Sequence, residues 1–187
     1  MIHNSSIIDK KAKITKNVKI GPFCYVGPNV ELSENVELIS NVHIEGNTKV
    51  GNNVVIANNV PLGGHVTIED SVVIGGNSAV QQFTRIGRLA MIGGMTGVLK
   101  DVIPFALSFG NRNYLQGINL IGLRRKKYEN KKILELDQAY KKIFSSSNLQ
   151  ENLSKINGEY KENELVKEVT NFIEKDKRRP ICTPLSK

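Results

Sequence analysis

The sequence predicts a mainly-β fold, in which a parallel β-helix of hexapeptide repeats (residues 1–103) precedes a C-terminal α-helical domain (residues 104–187). The first observation is an apolar residue at every sixth position, through sixteen consecutive repeats from Ile8 to Val98. The second is a change to apolar spacings of three and four after Pro104. A period of six fits no helix, but it fits short strands that tight turns join into three-sided coils of 18 residues.

A second position in each hexad supports the β-helix. The residue four places after each apolar anchor is small or β-branched, as at Val18, Val54 and Ala90. Glycine often follows the anchor, as at Gly21 and Gly63, which predicts turns with unusual backbone angles. Stacked coils pair as parallel strands about 4.8 Å apart, so that each coil buries its anchors against its neighbours.

After the repeats, the apolar spacing predicts a small helical domain. We expect the second helix to end at the serine run 145–147, Gly158 to follow the third helix, and the tail to be extended. The apolar faces of the four predicted helices are formed by Ile118, Ile121 and Leu123; by residues from Ile133 to Ile143; by Leu149, Leu153 and Ile156; and by residues from Leu165 to Ile173.

Charge and cysteine content restrict the function classes. The net charge is +8, and residues 104–187 carry most of it, with 17 basic against 10 acidic residues. Such a basic domain could attract an acidic partner, or it could simply be solvated. No apolar run approaches a membrane span, and the first residues do not resemble a signal peptide. Cys24 and Cys182 lie far apart, which favours a reducing, cytoplasmic location.

Three segments carry a family resemblance. They are IGPFCYVGPNV, the run from LGGHVTIED to DVIPF, and GNRNYLQGINLIGLRRK, with RRPIC near the end of the tail. Together they resemble the acyl-carrier-protein-dependent UDP-N-acetylglucosamine O-acyltransferases, the hexapeptide-repeat enzymes that open lipid A synthesis. The resemblance implies a left-handed β-helix and a homotrimer with active sites between neighbouring subunits. It also implies transfer of a 3-hydroxyacyl chain from acyl carrier protein to the sugar 3-hydroxyl, with no cofactor and no metal.

The resemblance also implies roles for individual residues. His65 in LGGHV matches a catalytic histidine, and Gln82 in QQF matches a glutamine that contacts substrate. Asn119 and Arg125 match polar contacts to the nucleotide sugar and its phosphates, and Gly94 matches the position that limits acyl-chain length. Each also has a structural interpretation: a turn residue for His65 and Gly94, and a solvated side chain for the others.

The chain departs from the family at several points. It is shorter than the family by several central coils. The apolar residues nevertheless keep their spacing of six through residues 41–60, where the missing coils would lie. Gly46 stands where the family has its catalytic histidine, and Asn47 stands in place of an aspartate. Ile121 replaces a glutamate near the sugar. These changes predict weak or absent activity, with His43 as the candidate substitute base beside His65.

Two alternatives stay open at this stage. One is a catalytically inactive trimeric scaffold, and the other is a coenzyme-A-dependent acetyltransferase on the same β-helix. A zinc hydratase is disfavoured because its site needs three histidines on facing coils, and the only histidines of this chain are His3, His43 and His65. Nucleic-acid binding is disfavoured because the basic tail contains no recognised motif.

Overall fold

A computed structural model describes residues 1–145 and 148–185 and confirms the predicted fold class. Within these residues, two-residue strands follow one another at intervals of six. They are β1 (Ile7–Ile8), β2 (Lys13–Ile14), β3 (Lys19–Ile20), β4 (Tyr25–Val26), β5 (Glu31–Leu32), β6 (Glu37–Leu38), β7 (His43–Ile44), β8 (Lys49–Val50), β9 (Val55–Ile56), β10 (Pro61–Leu62), β11 (Thr67–Ile68), β12 (Val73–Ile74), β13 (Ala79–Val80), β14 (Arg85–Ile86), β15 (Met91–Ile92) and β16 (Gly97–Val98).

Every third strand belongs to the same sheet, which gives the prism three faces. Sheet I contains β1, β4, β7, β10, β13 and β16, and sheet II contains β2, β5, β8, β11 and β14. Sheet III contains β3, β6, β9, β12 and β15. Paired residues are 18 apart, as for His43 with Tyr25 and Pro61, so equivalent positions of successive coils stack directly on one another.

The three edges of the prism are turns with one left-handed residue each. Edge 1, between sheets I and II, contains Asn29, Asn47, His65 and Phe83; edge 2, between sheets II and III, contains Asn17, Asn35, Asn53, Ser71 and Leu89; edge 3, between sheets III and I, contains Phe23, Asn41, Asn59, Asn77 and Met95. Asparagine tolerates this conformation better than most residues. Stacked asparagines also bond across coils, as where Asn59 Nδ2 donates to Asn77 Oδ1 at 3.0 Å.

The prediction that glycines after the anchors supply the unusual backbone angle was wrong. The positive φ lies two residues later, at positions such as Asn53 and His65. The glycines meet a different constraint, close approach between coils. A Cβ at Gly63 would come within 2.6 Å of the backbone nitrogen of Gln82 in the next coil.

The anchors form one continuous apolar column inside the prism. Ile44, Ile56 and Ile74 are fully buried, and the small residues between them, such as Val54 and Val60, are buried as well. Outward residues of the same strands are exposed or half-buried. The two-residue strand therefore places one side chain inside and one outside at every step.

Above the last coil, a β-hairpin replaces the helix predicted from Ile118. Strands β17 (Ala106–Phe109) and β18 (Tyr114–Ile118) are antiparallel, and β17 continues sheet III beyond β15. Ile118 thus ends a strand, and the short helix α1 (Leu120–Arg125) begins after it. The apolar spacing from Leu115 to Leu123 spans this strand-to-helix change, which is why it resembled a helical period.

Three longer helices form the rest of the domain, as predicted: α2 (Asn130–Ile143), α3 (Leu149–Glu159) and α4 (Glu164–Lys175). Gly158 lies inside α3 instead of following it. Of the predicted terminating serines, 146 and 147 lie outside the described residues. The extended tail returns to the prism, where Ile181 pairs with Asp101 and Pro184 with Leu115.

Two arginines fasten the helices to the prism. Arg88 donates from Nε and Nη2 to both carboxylate oxygens of Glu168 in α4, at 2.8 and 2.6 Å, and from Nη1 to Tyr128 Oη at 2.8 Å. Arg85 donates from Nε to Asp101 Oδ2 at 2.7 Å and from Nη1 to the carbonyl oxygen of Phe172 at 3.2 Å. These charged groups are mostly shielded from solvent. Among the described residues, no helix is long and apolar enough to cross a membrane.

We expect Ile56→Ala to lower the free energy of unfolding by about 2–5 kcal/mol, because it leaves a cavity in the column of anchors. Val55→Ala, the neighbouring outward position, should cost clearly less because Val55 is only half-buried. Urea denaturation followed by circular dichroism measures both values. Equal losses would contradict the assignment of Ile56 to the core.

We expect Glu168→Gln to lower the free energy of unfolding by about 1–3 kcal/mol, because it removes a charge-assisted pair with Arg88. Glu164→Gln is the matched control in the same helix, since Glu164 pairs with Lys132 at a more exposed site and should cost below about 1 kcal/mol. The same denaturation experiment compares them. A smaller loss for Glu168→Gln than for its control would show that Arg88 does not hold α4.

Candidate functional site

His65 lies at edge 1, at a left-handed turn residue that points away from the core. Its ring stacks on Phe83 of the next coil, with centroids 4.8 Å apart and planes inclined by 15°. The residue one coil earlier is Asn47, and the His65 amide donates to the carbonyl oxygen of Gly46 at 3.1 Å. The turn geometry and the stack thus fix an exposed imidazole at this edge.

His43 belongs to the outward face of sheet I and has a carboxylate partner. Its Nε2 lies 2.8 Å from Glu45 Oε1, and its ring stacks on Tyr25 at 4.6 Å. Both His43 and Glu45 are about half-exposed. If Nε2 carries the proton donated to Glu45, Nδ1 has a free lone pair, which is the arrangement a general base requires.

Gly46 is in register with Gly64, not with His65. A Cβ at position 46 would approach the carbonyl oxygen of Pro28 to 2.6 Å, so any larger residue there requires the coil to shift. Gln82 stands above Gly64 in the same stack and is exposed. His43, His65 and Gln82 therefore share one region, from the outer half of sheet I to edge 1.

A groove of about 530 Å³ runs from His65 under the C-terminal tail. Its arginines are already paired with carboxylates. Arg178 donates to both oxygens of Asp176, and this pairing holds the pKa of the Asp176 carboxyl far below its usual range. Arg179 bonds Gln81 and the carbonyl oxygen of Leu99. The tail thus forms a wall beside His65.

Asn119 and Arg125 lie at a different place, near edge 2. Asn119 is the N-cap of α1, where Oδ1 accepts from the Gly122 amide at 3.0 Å and Nδ2 donates to the carbonyl oxygen of Leu89 at 2.9 Å. Arg125 is exposed at the end of the same helix. Both residues border a largely apolar groove of about 720 Å³, which also contains Ile121.

Gly94 lies at the third edge, where its neighbour in the previous coil is Gly76. It is exposed, and a Cβ at Gly94 would meet only the carbonyl oxygen of Gly76, at 3.2 Å. A side chain therefore fits at this position with little adjustment. One chain thus places five of the candidate residues at or near three separate edges of the prism and His43 on the face of sheet I.

Among the described residues, the cysteines and carboxylates form neither a reactive thiol site nor a metal site. Burial raises the pKa of the Cys182 thiol to about 11 and also raises that of Cys24, so both stay protonated and inert near neutral pH. In the described part of the chain, no group of three or more histidine, cysteine, aspartate or glutamate side chains could hold a metal ion.

Sequence reasoning missed Glu45 as the partner of His43. The signal was present, because residues two apart on a strand face the same side and His43-Ile44-Glu45 follows that spacing. The arginine contacts to the helices could not be found this way. Arg85 and Arg88 reach partners that are 87 and 80 residues away in the sequence.

The comparisons with known proteins agree with this fold. Residues 101–182 match the family model described as UDP-N-acetylglucosamine O-acyltransferase, domain 2. The acyl-[acyl-carrier-protein]–UDP-N-acetylglucosamine O-acyltransferase of Rhizobium leguminosarum is 38% identical over 113 residues, which are 60% of this chain and 42% of the relative. The enzyme of the same name from Nautilia profundicola is 41% identical over 110 residues, 59% of this chain and 42% of that protein.

A solved structure extends the similarity to the whole fold. The crystal structure of UDP-N-acetylglucosamine O-acyltransferase from Moraxella catarrhalis superposes with a TM-score of 0.68 and 26% identity, covering 96% of this chain and 98% of the other. The sequence matches, by contrast, span less than half the length of the curated relatives. The chain is therefore similar to the UDP-N-acetylglucosamine O-acyltransferases, and its residues 101–182 match the model of that family's second domain.

Proposed function

We propose that this chain is an O-acyltransferase of the cytoplasm that moves a 3-hydroxyacyl chain from acyl carrier protein to the 3-hydroxyl of UDP-N-acetylglucosamine. This is the reaction that opens lipid A synthesis. The names of the relatives and the match of the second domain support the substrate pair. The basic helical domain supports an acidic donor protein, since opposite surface charges speed and orient encounter.

The observation that carries the proposal is the 2.8 Å pair of His43 Nε2 and Glu45 Oε1 on an exposed face of the prism. Glu45 fixes the tautomer, so that His43 Nδ1 accepts the proton of the sugar hydroxyl. The oxygen then forms a bond to the thioester carbon, the carbon–sulfur bond breaks, and the His43 imidazolium gives its proton to the leaving sulfur, which departs as the carrier thiol. The carboxylate stabilises the imidazolium that forms during the step.

The other candidate residues position the substrates. His65 and Gln82, beside His43, contact the reacting sugar, while Asn119 and Arg125 hold the nucleotide phosphates and Gly94 leaves room for a long acyl chain. In one chain these residues lie at separate edges, so a complete site requires contributions from neighbouring copies. The proposed homotrimer supplies this arrangement, with each cleft between two prisms.

The outward face of sheet I is the proposed contact surface of the trimer. Its outward residues are mostly apolar or small and include no lysine, arginine or carboxylate: Ile7, Tyr25, His43, Pro61, Ala79 and Gly97. The outward face of sheet II is different, because Lys13, Glu31 and Lys49 form a ladder of ion pairs across it. Apart from Glu45, which pairs with His43 just beyond β7, this face lacks the ion pairs that cross sheet II and is therefore easier to desolvate.

Turnover should be slow compared with a full-length relative. The relatives' catalytic position is occupied by Gly46, and the lost coils take substrate contacts with them. Gly46→His with Asn47→Asp would place an imidazole beside a carboxylate only if the backbone shifts, because a Cβ at position 46 would lie 2.6 Å from the carbonyl oxygen of Pro28. The inactive trimeric scaffold and the coenzyme-A-dependent acetyltransferase stand as the alternatives that the assay below separates.

We expect the chain to transfer a hydroxyacyl group from its carrier protein to UDP-N-acetylglucosamine, and His43→Ala to lower the rate about 10²–10⁴-fold through loss of the general base. Glu45→Gln should cost less, because it keeps the shape but not the charge. His3→Ala is the matched control. Radiolabelled UDP-N-acetylglucosamine and chromatography of the product measure the rates.

Three outcomes of this assay contradict the proposal. No transfer above the uncatalysed rate would favour the scaffold, and transfer from acetyl coenzyme A but not from the carrier would favour the acetyltransferase. Full activity in His43→Ala would refute the assignment of the base.

We expect sedimentation equilibrium to give a particle of three 20.8 kDa chains at micromolar concentration. Ala79→Arg should dissociate it, because the change buries a charge in the proposed interface on sheet I. Thr67→Arg, on the outward face of sheet II, is the matched control and should leave the trimer intact. A monomeric parent, or a trimeric Ala79→Arg variant, would rule out sheet I as the interface.

A further inference from the structure

The imidazole of His43 is held by an aromatic ring of the preceding coil as well as by Glu45. Tyr25 lies opposite His43 in sheet I, 18 residues earlier, and the two rings stack with centroids 4.6 Å apart and planes inclined by 20°. We propose that Tyr25 is a positioning residue, which holds the His43 ring in the one orientation that can accept the proton of the sugar hydroxyl. The inference rests on the proposed function, because it concerns the same general base.

The stack restricts the rotation of the His43 ring but does not fix it alone. The torsion about the Cβ–Cγ bond of a histidine is broad, so an exposed imidazole samples many ring planes. A ring that stays nearly parallel to that of Tyr25 keeps one plane. Within this plane two orientations remain, which differ by a half-turn about the Cβ–Cγ bond. The half-turn exchanges the places of Nε2 and Cε1, and those of Nδ1 and Cδ2.

Glu45 selects between these two orientations. Its Oε1 lies 2.8 Å from Nε2 of His43, and the half-turn would bring Cε1 to this place and lose the hydrogen bond. With Nε2 donating to Glu45, the lone pair of Nδ1 points away from the carboxylate. The stack and the hydrogen bond therefore fix the direction of the basic nitrogen only together, and such orientation of a reacting group contributes to the rate.

The Tyr25 ring is itself held in place by its surroundings. Tyr25 is half-buried, and its amide donates to the carbonyl oxygen of Val42 at 2.9 Å. Its ring lies over Gly27, two residues along the same face, where a Cβ would come within 3.4 Å of Cε1. The two rings therefore extend in the same direction along neighbouring strands, with Tyr25 over Gly27 and His43 towards Glu45. Glycine leaves the space that the Tyr25 ring needs.

A second histidine–aromatic stack provides an internal contrast. His65 and Phe83 stack at 4.8 Å with planes inclined by 15°, which is nearly the same geometry. Within residues 1–145 and 148–185, however, the ring of His65 forms no hydrogen bond, so both orientations of that ring stay open. His43 combines a stack with a carboxylate, and this combination distinguishes Tyr25 from an aromatic residue that only packs.

Replacement of Tyr25 tests the inference by kinetics and by NMR. We expect Tyr25→Leu, which keeps an apolar side chain but removes the aromatic face, to lower kcat about threefold to tenfold and to leave KM for UDP-N-acetylglucosamine unchanged. NMR relaxation of the His43 ring carbons in the intact protein should show a clear loss of order on the ps–ns timescale. Tyr25→Phe keeps the stack and should match the parent in both measurements.

Phe83→Leu is the matched control for the NMR measurement, because it removes the other stack. It should loosen the His65 ring and leave the order of the His43 ring unchanged. Unchanged order of the His43 ring in Tyr25→Leu would overturn the inference, whether or not the parent transfers acyl groups. So would equal losses in Tyr25→Phe and Tyr25→Leu, which would assign the role to the hydroxyl group. An inactive parent whose His43 ring loses order in Tyr25→Leu would refute the proposed reaction and still support the positioning by Tyr25.

Discussion

The architecture depends on one constraint: each residue of a coil must stack on a residue 18 positions away. The inward anchors meet this constraint by burying one apolar side chain per strand. The turns meet it with a left-handed residue, and the neighbouring glycines meet it by the absence of a Cβ where two coils approach. Because each coil contacts only its neighbours, whole coils can be lost without disturbing the rest. The unbroken hexad phase at the junction near Gly46 agrees with this independence.

The sequence was sufficient to predict the prism because period-six burial is a local and repetitive signal. The same reasoning failed at Ile118, where strand β18 and helix α1 share one apolar spacing. For the site, the family resemblance indicated His65 and Gln82, and the structure places both at edge 1. The contacts of Arg88 with Glu168 and Tyr128 could not be predicted, since they join residues whose separation no local pattern encodes.

The candidate residues lie on separate surfaces of one rigid prism. Sheet I presents a histidine–carboxylate pair whose geometry is fixed by the strand. Edge 2 presents cations beside an apolar groove, at the end of a helix that Asn119 caps. Neither surface needs a mobile loop for its own geometry, and the two face in different directions on one chain. The prism therefore holds the His43–Glu45 pair apart from the cations beside α1 on one chain.

Stacking in fixed register also sets the distances between residues on different coils. Each coil adds about 4.8 Å along the axis, so equivalent positions on different coils are separated by a whole number of such steps. His43 and Gly94 are almost three coils apart, roughly 14 Å along the axis. Inserting or deleting one 18-residue coil between them would change that separation by about 4.8 Å, while each residue would stay on the same face of the prism. Evolution, or an engineer, can thus alter reach in discrete increments without redesigning a single contact inside a coil.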